Sequence, residues 1–177
     1  IYPGTCRDGI PPGKTPRSVR FRIPDPAVEV IDRIQGPMHF RLDQECGDFV
    51  IWRADGRVAY QLAVVVDDAA AGITEVVRGR DLLDSAPRQQ LLHQALGKPV
   101  PGWLHLPLVV DRHGRKLSKS DNADPIETLS PARTIRLALQ VLGHPPPEGL
   151  RSLVSLLDWA IAHWQPEQIP SAPFELG

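Results

Sequence analysis

The stretch LHLPLVVDRHGRKLSKS, residues 104 to 120, decides how the rest of the chain is read. Its apolar run, Leu106 to Val110, predicts a buried strand. The polar Asp111-Arg112-His113-Gly114 turn then delivers Lys116-Leu117-Ser118-Lys119-Ser120 into a loop. Two lysines just beyond a strand end can set ammonium groups against the negative charge that builds on a nucleotide's phosphates during transfer. Spacing alone equally fits a solvated basic loop.

Upstream, the pattern alternates between strand and helix. Leu62 to Val66 is a short apolar run closed by Asp67-Asp68, which suits either a helix start or a buried strand, and periodicity does not choose between them. Ile73 to Val77 is a β-branched strand ending at Arg78-Gly79. Ser85 offers a helix N-cap, with Pro87 in the first turn, Leu91, Leu92, Ala95 and Leu96 on one face, and Gly97 as the stop. Strand, helix and strand in succession predict an α/β fold with a parallel sheet, in which ligands gather at the carboxyl ends of strands. Arg78 and the 116–120 loop both fall there. A guanidinium beside a glycine suits two-pronged capture of a carboxylate, while a salt bridge to Asp81 is the alternative at this spacing.

Further toward the start, Val19 to Ile23 alternates apolar and basic residues and predicts a half-buried strand, with Val19, Phe21 and Ile23 on one face. Val28 to Ile34 alternates similarly, Gly36-Pro37 breaks it, and Met38 to Leu42 pairs back. Phe49 to Trp52 and Val58 to Tyr60 flank an Asp55-Gly56 turn and predict a hairpin, which leaves Tyr60 at a strand end. Residues 1 to 17 are rich in Pro and Gly and read as a loop or knuckle. Downstream of the loop, Ser130 and Pro131 open a helix through Ile135, Ala138, Leu139 and Leu142, which Gly143 ends. After the His144-Pro-Pro-Pro147 break, Leu150, Leu153, Val154, Leu157, Ile161 and Trp164 mark a second amphipathic helix whose stripe, with Trp159, is read as core.

The 177 residues carry 42% hydrophobic and 23% charged residues and a net charge of -1, the balance of a globular chain with neither a disordered nor a membrane bias. No apolar run approaches the roughly 20 residues of a spanning helix, no signal peptide is evident, and Cys6 and Cys46 are too few for a disulfide framework. Cytoplasmic location is the expectation. Local charge is more informative than the total: Arg7, Lys14, Arg17, Arg20 and Arg22 face Asp8 alone in residues 1 to 23, and Arg112, Arg115, Lys116 and Lys119 cluster at the loop. Such patches can track a phosphate backbone, or be ordinary surface charge.

Lys116 to Ser120 resembles the KMSKS signature of class I aminoacyl-tRNA synthetases, in the KLSK form of the glutamyl and glutaminyl branch. Residues 59 to 89, AYQLAVVVDDAAAGITEVVRGRDLLDSAPRQ, resemble the second half of that branch's nucleotide-binding domain almost continuously. With Tyr2-Pro-Gly-Thr-Cys6 added, the chain most resembles the glutamyl-queuosine tRNA(Asp) synthetase family, shortened paralogues of glutamyl-tRNA synthetase, over residues 1 to 7 and 47 to 120. The resemblance implies the second half of a Rossmann-like class I catalytic domain with a β-rich insertion and a small helical region. Residues 1–58 would be the remnant of a zinc knuckle plus the insertion, 59–125 the catalytic half with the KLSKS loop, and 126–177 the helices.

The same resemblance implies roles. Lys116, Ser118 and Lys119 would form the catalytic signature, with Lys119 and Lys116 on ATP and His105 and Asp81 near the nucleotide. Tyr60 and Arg78 would contact glutamate. ATP would arrive with Mg2+. Tyr2 and Cys6 would be half of a zinc site whose Cys-x-Cys half is absent from this sequence, so Zn2+ is expected in the full-length parent and not in this chain, because two ligands do not close a tetrahedral site. The opening Ile1-Tyr2-Pro3-Gly4 reads as the middle of a protein, the family's HIGH-like half is not in the sequence, and this chain alone is expected to be inactive. The implied partners are glutamate, ATP and the anticodon stem-loop of tRNA(Asp), the glutamyl group going to queuosine at the wobble base. Two alternatives stay open: a truncated glutamyl- or glutaminyl-tRNA synthetase charging a 3′ end, and a noncatalytic RNA-binding module. The remainder after the loop is expected to be too short for an anticodon-binding domain, which favours the first reading unless the sequence is also cut short at that end.

Overall fold

The computed structural model describes residues 1–117 and 129–176. Strands β1 (Val19–Phe21), β2 (Ala27–Asp32) and β3 (Gly36–Arg41), a short helix α1 (Leu42–Glu45) and β4 (Phe49–Trp52) come first. They are followed by α2 (Tyr60–Ala71), β5 (Glu75–Gly79), a 3-10 segment (Arg80–Ser85), α3 (Ala86–Ala95), β6 (Gly102–Leu106) and β7 (Val109–Val110). Helices α4 (Pro131–Val141) and α5 (Leu153–His163) and strand β8 (Phe174–Glu175) complete the chain. Packing divides it into two units, residues 1–76 with 82–104, and residues 77–81 with 105 onward. The boundary falls within β5 and within β6. The expected division at 58/59 and 125/126 concerns the roles of segments and coincides with neither boundary.

In the first unit β2 and β3 pair antiparallel from Ala27↔Arg41 to Asp32↔Gly36, and β2 meets β6 in parallel at Asp32↔Trp103, within a sheet ordered β3-β2-β6-β5. The alternation read in the sequence is visible along β2: Val28, Val30 and Asp32 are buried, and Ala27, Glu29 and Ile31 are exposed. Asp32 closes the turn, its Oδ1 accepting from the N–H groups of Ile34 and Gln35. Val30, Leu42, Phe49, Val65, Leu92 and Trp103 belong to one core. β1 pairs antiparallel with β4 but ends at Phe21, and Val19 is exposed.

Several sequence expectations change. Leu62 to Val66 is helical, within α2. The predicted second strand of the 49–60 hairpin reduces to one bridge, Trp52↔Val58, and Tyr60 opens α2 instead of ending a strand. Ser85 does sit at the N-cap of α3, but its hydroxyl accepts from Gln61 Nε2 at 3.0 Å and makes no cap bond. The buried side of α3 carries Gln89 and His93 with Leu91 and Leu92, while Ala95 and Leu96 are exposed. The apolar run 106–110 is two strands, interrupted at Pro107 and Leu108.

In the second unit α4 packs against α5, and β7 pairs in parallel with β8 at Val109↔Phe174 and Val110↔Glu175. Arg136 on α4 donates to the carbonyls of Pro146, Pro147 and Leu150, holding the proline break. His144 is buried, donates Nδ1–H to Leu142 O, accepts the Gln165 N–H at Nε2, and stacks on Trp164. The stripe read as core on α5 is a correction: Val154 is 68% and Ile161 80% exposed, Leu157 and Trp164 are exposed too, and Leu156 is the buried residue. That helix is apolar nearly all round, so its periodicity does not select the side that packs.

Candidate active site

Arg78 and Gly79 are the last two residues of β5, so the guanidinium leaves from the strand's carboxyl end as the α/β pattern requires. Arg78 Nε donates to His105 Nε2 at 2.9 Å, and His105, on β6, is fully buried. Three residues beyond Arg78, Asp81 lies in the first turn of the 3-10 segment and accepts from Lys116 Nζ at 2.5 Å through Oδ2. That hydrogen bond is the first cause of an Asp81 pKa below the usual carboxylate value, with partial burial opposing it and the charges of Lys116 and Arg78 reinforcing it. Arg78, Asp81, His105 and Lys116 all belong to the second unit. The structure therefore gathers four residues that the sequence separates by up to 38 positions.

Gly79 leaves room for a side chain of the protein itself. A Cβ at this position would lie 2.5 Å from Asp81 Oδ1. What comes close to the glycine is the carboxylate of Asp81 itself, folded back toward Lys116.

Lys116 is presented by a tight local turn. Val110 bridges Lys116, Leu117 N–H donates to Val109 O, and Asp111 accepts at Oδ1 from the N–H groups of His113 and Arg115. Asp111 Oδ2 takes two further bonds from the Arg115 guanidinium, at 2.9 and 2.7 Å. The Arg115 N–H is the largest of the influences that hold the Asp111 carboxyl at about 2. Of the four cations that the sequence clusters here, Arg115 and Lys116 are thus each paired with a carboxylate. β8 fastens the strand from behind, Phe174 N–H donating to Leu108 O and Leu176 N–H to Val110 O. Nothing in the local pattern of residues 174–176 announces that pairing.

Tyr60 lies in the first unit as the opening residue of α2, 53% exposed. Ser118 and Lys119 lie outside the described residues. Tyr2 and Cys6 share one turn, where the Tyr2 hydroxyl accepts the Cys6 N–H at 2.6 Å and Cys6 is an exposed free thiol. No group of three or more His, Cys, Asp or Glu able to hold a metal occurs among the described residues. Two donors, one of them already accepting a backbone N–H, do not fit a closed zinc site by themselves. A cleft of about 410 Å³ opens beside this turn between Tyr2, Arg7, Pro24 and Asp43. Its charged walls are paired, Arg7 with Asp48 and Asp43 with Arg41, so it offers no convergent polar groups for a substrate.

Residues 10–139 match the family of tRNA synthetases class I (E and Q), catalytic domain. The chain belongs to this family. As a class I synthetase catalytic-domain segment it is 48% identical over 176 residues to the glutamyl-Q tRNA(Asp) synthetase of Chromobacterium violaceum, covering 99% of this chain and 59% of that protein. It is 49% identical over 178 residues to the enzyme of the same name from Geobacter sulfurreducens, covering 97% of this chain and 57% of that one. The chain thus spans less than two thirds of the length of these relatives. The class I fold is also evident in the glutamate-tRNA synthetase from Elizabethkingia anophelis, which superposes with a TM-score of 0.69 at 24% identity over 90% of this chain and 36% of the other. No helix among the described residues is long and apolar enough to cross a membrane.

Proposed function

We propose that the protein to which this chain belongs activates glutamate with ATP and transfers the glutamyl group to queuosine at the wobble position of tRNA(Asp). In the first step a glutamate carboxylate oxygen bonds to the α-phosphorus of ATP, supplied as its magnesium complex, and the bond to pyrophosphate breaks. In the second a hydroxyl of the queuosine cyclopentenediol attacks the acyl carbon and AMP leaves. Neither step needs a side-chain nucleophile; positioning and charge neutralisation carry the rate. Arg78 would bind a glutamate carboxylate, with Tyr60 also contacting glutamate. Lys116, Ser118 and Lys119 would act on the nucleotide as the KLSKS signature, and Asp81 would hold Lys116 until phosphate takes it. Residues 1–58, 59–125 and 126–177 would serve as knuckle and insertion, catalytic half and helical support.

The observation that carries this reading is the juxtaposition of Arg78 at a strand end with the Asp81–Lys116 pair at the base of the signature loop. An intact Lys116 to Ser120 stretch together with Tyr60 and Arg78 argues against a noncatalytic RNA-binding module, which needs no nucleotide loop. Similarity near one half to relatives named glutamyl-Q tRNA(Asp) synthetase supports the acceptor over the 3′ end of tRNA-Glu. Single-stranded anticodon bases are splayed and readable on their exposed edges. The test is to supply the full-length enzyme with labelled glutamate, ATP and three RNAs. Label is expected on queuosine-containing tRNA(Asp) and absent from queuosine-free tRNA(Asp) and tRNA-Glu. Label on the 3′ end of tRNA-Glu moves the protein to the truncated-synthetase reading.

A further inference from the structure

We propose that His105 is a positioning residue for Arg78, which as a neutral imidazole fixes the guanidinium in the orientation that receives a substrate carboxylate. The inference rests on the reading of Arg78 as a carboxylate ligand given above. Arginine is always charged and has no acceptor, so in the 2.9 Å contact between Arg78 Nε and His105 Nε2 the ring nitrogen must supply the lone pair. The tautomer follows from the donor: the ring proton sits on Nδ1 and Nε2 is bare. His105 is 0% exposed, so water does not replace it as the acceptor.

His105 takes the Nε–H edge of the guanidinium. It also fixes the guanidinium plane, because Arg78 and His105 stand on neighbouring strands of one sheet, β5 and β6. Loss of this acceptor should leave the charge of Arg78 in place and spoil its aim, which is felt by glutamate and not by ATP.

The experiment uses the full-length enzyme and pyrophosphate exchange measured against glutamate and against ATP. His105→Met, which keeps the volume without a comparable acceptor, is expected to raise the KM for glutamate about tenfold, the scale of one hydrogen bond to a charged group, with the KM for ATP unchanged. His105→Gln, whose carbonyl oxygen reaches the place of Nε2, should recover most of the loss. A glutamate KM within twofold of wild type in His105→Met overturns the proposal, and so does an equal defect in both variants, which marks a role in packing alone. Arg78→Lys separates the two levels of argument. If it leaves glutamate use intact, the carboxylate reading has failed and the inference with it. If it raises the glutamate KM while His105→Met does not, only the inference has failed. Nitrogen NMR of the wild-type enzyme gives a readout independent of any variant's folding: glutamate should leave the Arg78 Nε–H bonded to His105, and loss of that bond on adding glutamate overturns the proposal.

Discussion

Two regions of this chain looked alike as clusters of cations, residues 1–23 and the base of the 116–120 loop, and the structure treats them oppositely. In the first, Asp48 is 7% exposed and collects three donors: Arg7 through Nε and Nη2, each at 3.0 Å, and the Ile23 N–H at 3.0 Å. Arg20 donates to the Asp48 carbonyl and lies over the Tyr2 ring, 4.1 Å from its centroid. Gly47 makes the closure possible: its φ is +65°, and a Cβ there would come within 2.8 Å of the Tyr2 carbonyl oxygen. At the loop base, Asp81 is 37% and Lys116 48% exposed. A buried carboxylate with every oxygen engaged holds the fold, whereas an exposed one leaves its cation exchangeable, as the phosphate contact proposed for Lys116 requires. Burial, more than charge count, separates the two.

The largest expected effect breaks the structural side of this contrast. Asp48→Ala leaves the Ile23 N–H and the Arg7 guanidinium without their acceptor and should lower stability by roughly 2–3 kcal/mol, the cost of losing charged, largely buried hydrogen bonds. A urea midpoint that falls with an unchanged slope checks it. A shift below about 0.5 kcal/mol, the scale of an ordinary surface substitution, would put Asp48 in the same class as Asp81 and dissolve the comparison.

Next comes Asp81→Asn, made in the full-length protein. An exposed pair contributes under about 1 kcal/mol to folding, so the urea midpoint should barely move. Pyrophosphate exchange should fall about tenfold, as expected when one charged hydrogen bond no longer places Lys116. Wild-type exchange in this variant would mean that the pair is ordinary surface charge and that the loop base is no more poised than residues 1–23.

The smallest effect sharpens the contrast within the loop region itself. Asp111, unlike Asp81, has both oxygens filled by its own turn, and its carboxyl is lowered from 3.8 to about 2. A depressed carboxyl adds stability that is fully present above the unfolded value and is lost as pH falls through the folded one. Amide protection of His113 and Arg115 should therefore be constant above about pH 4 and decline between there and pH 2, and Asp111→Asn should remove that dependence. Protection already declining at pH 5 would contradict the turn's hydrogen bonding.

Much of this contrast was invisible in one dimension. The Asp111 turn was legible because its donors lie two and four residues away. The Asp81 and Asp48 pairs were not, since their partners lie 35 and 41 residues off. Both Arg78 and Asp81 were singled out from sequence, but a salt bridge between them was the nearest alternative, and the fold gives each a different partner. His105 was expected near the nucleotide and lies buried against Arg78.

By itself the sequence determined the α/β class, the antiparallel pairing of β2 with β3, and the opening of α4 at Ser130. Each of these is written in spacing over a few residues: period two, a proline at the first helical position, a glycine at a turn. Tertiary structure alone decided which side of α5 is buried, that Tyr60 begins a helix, that β8 backs the strand before the loop, and which carboxylate holds which cation. Those outcomes depend on what surface the fold brings opposite a residue, and a side chain's partner is chosen by burial and distance that no local pattern encodes.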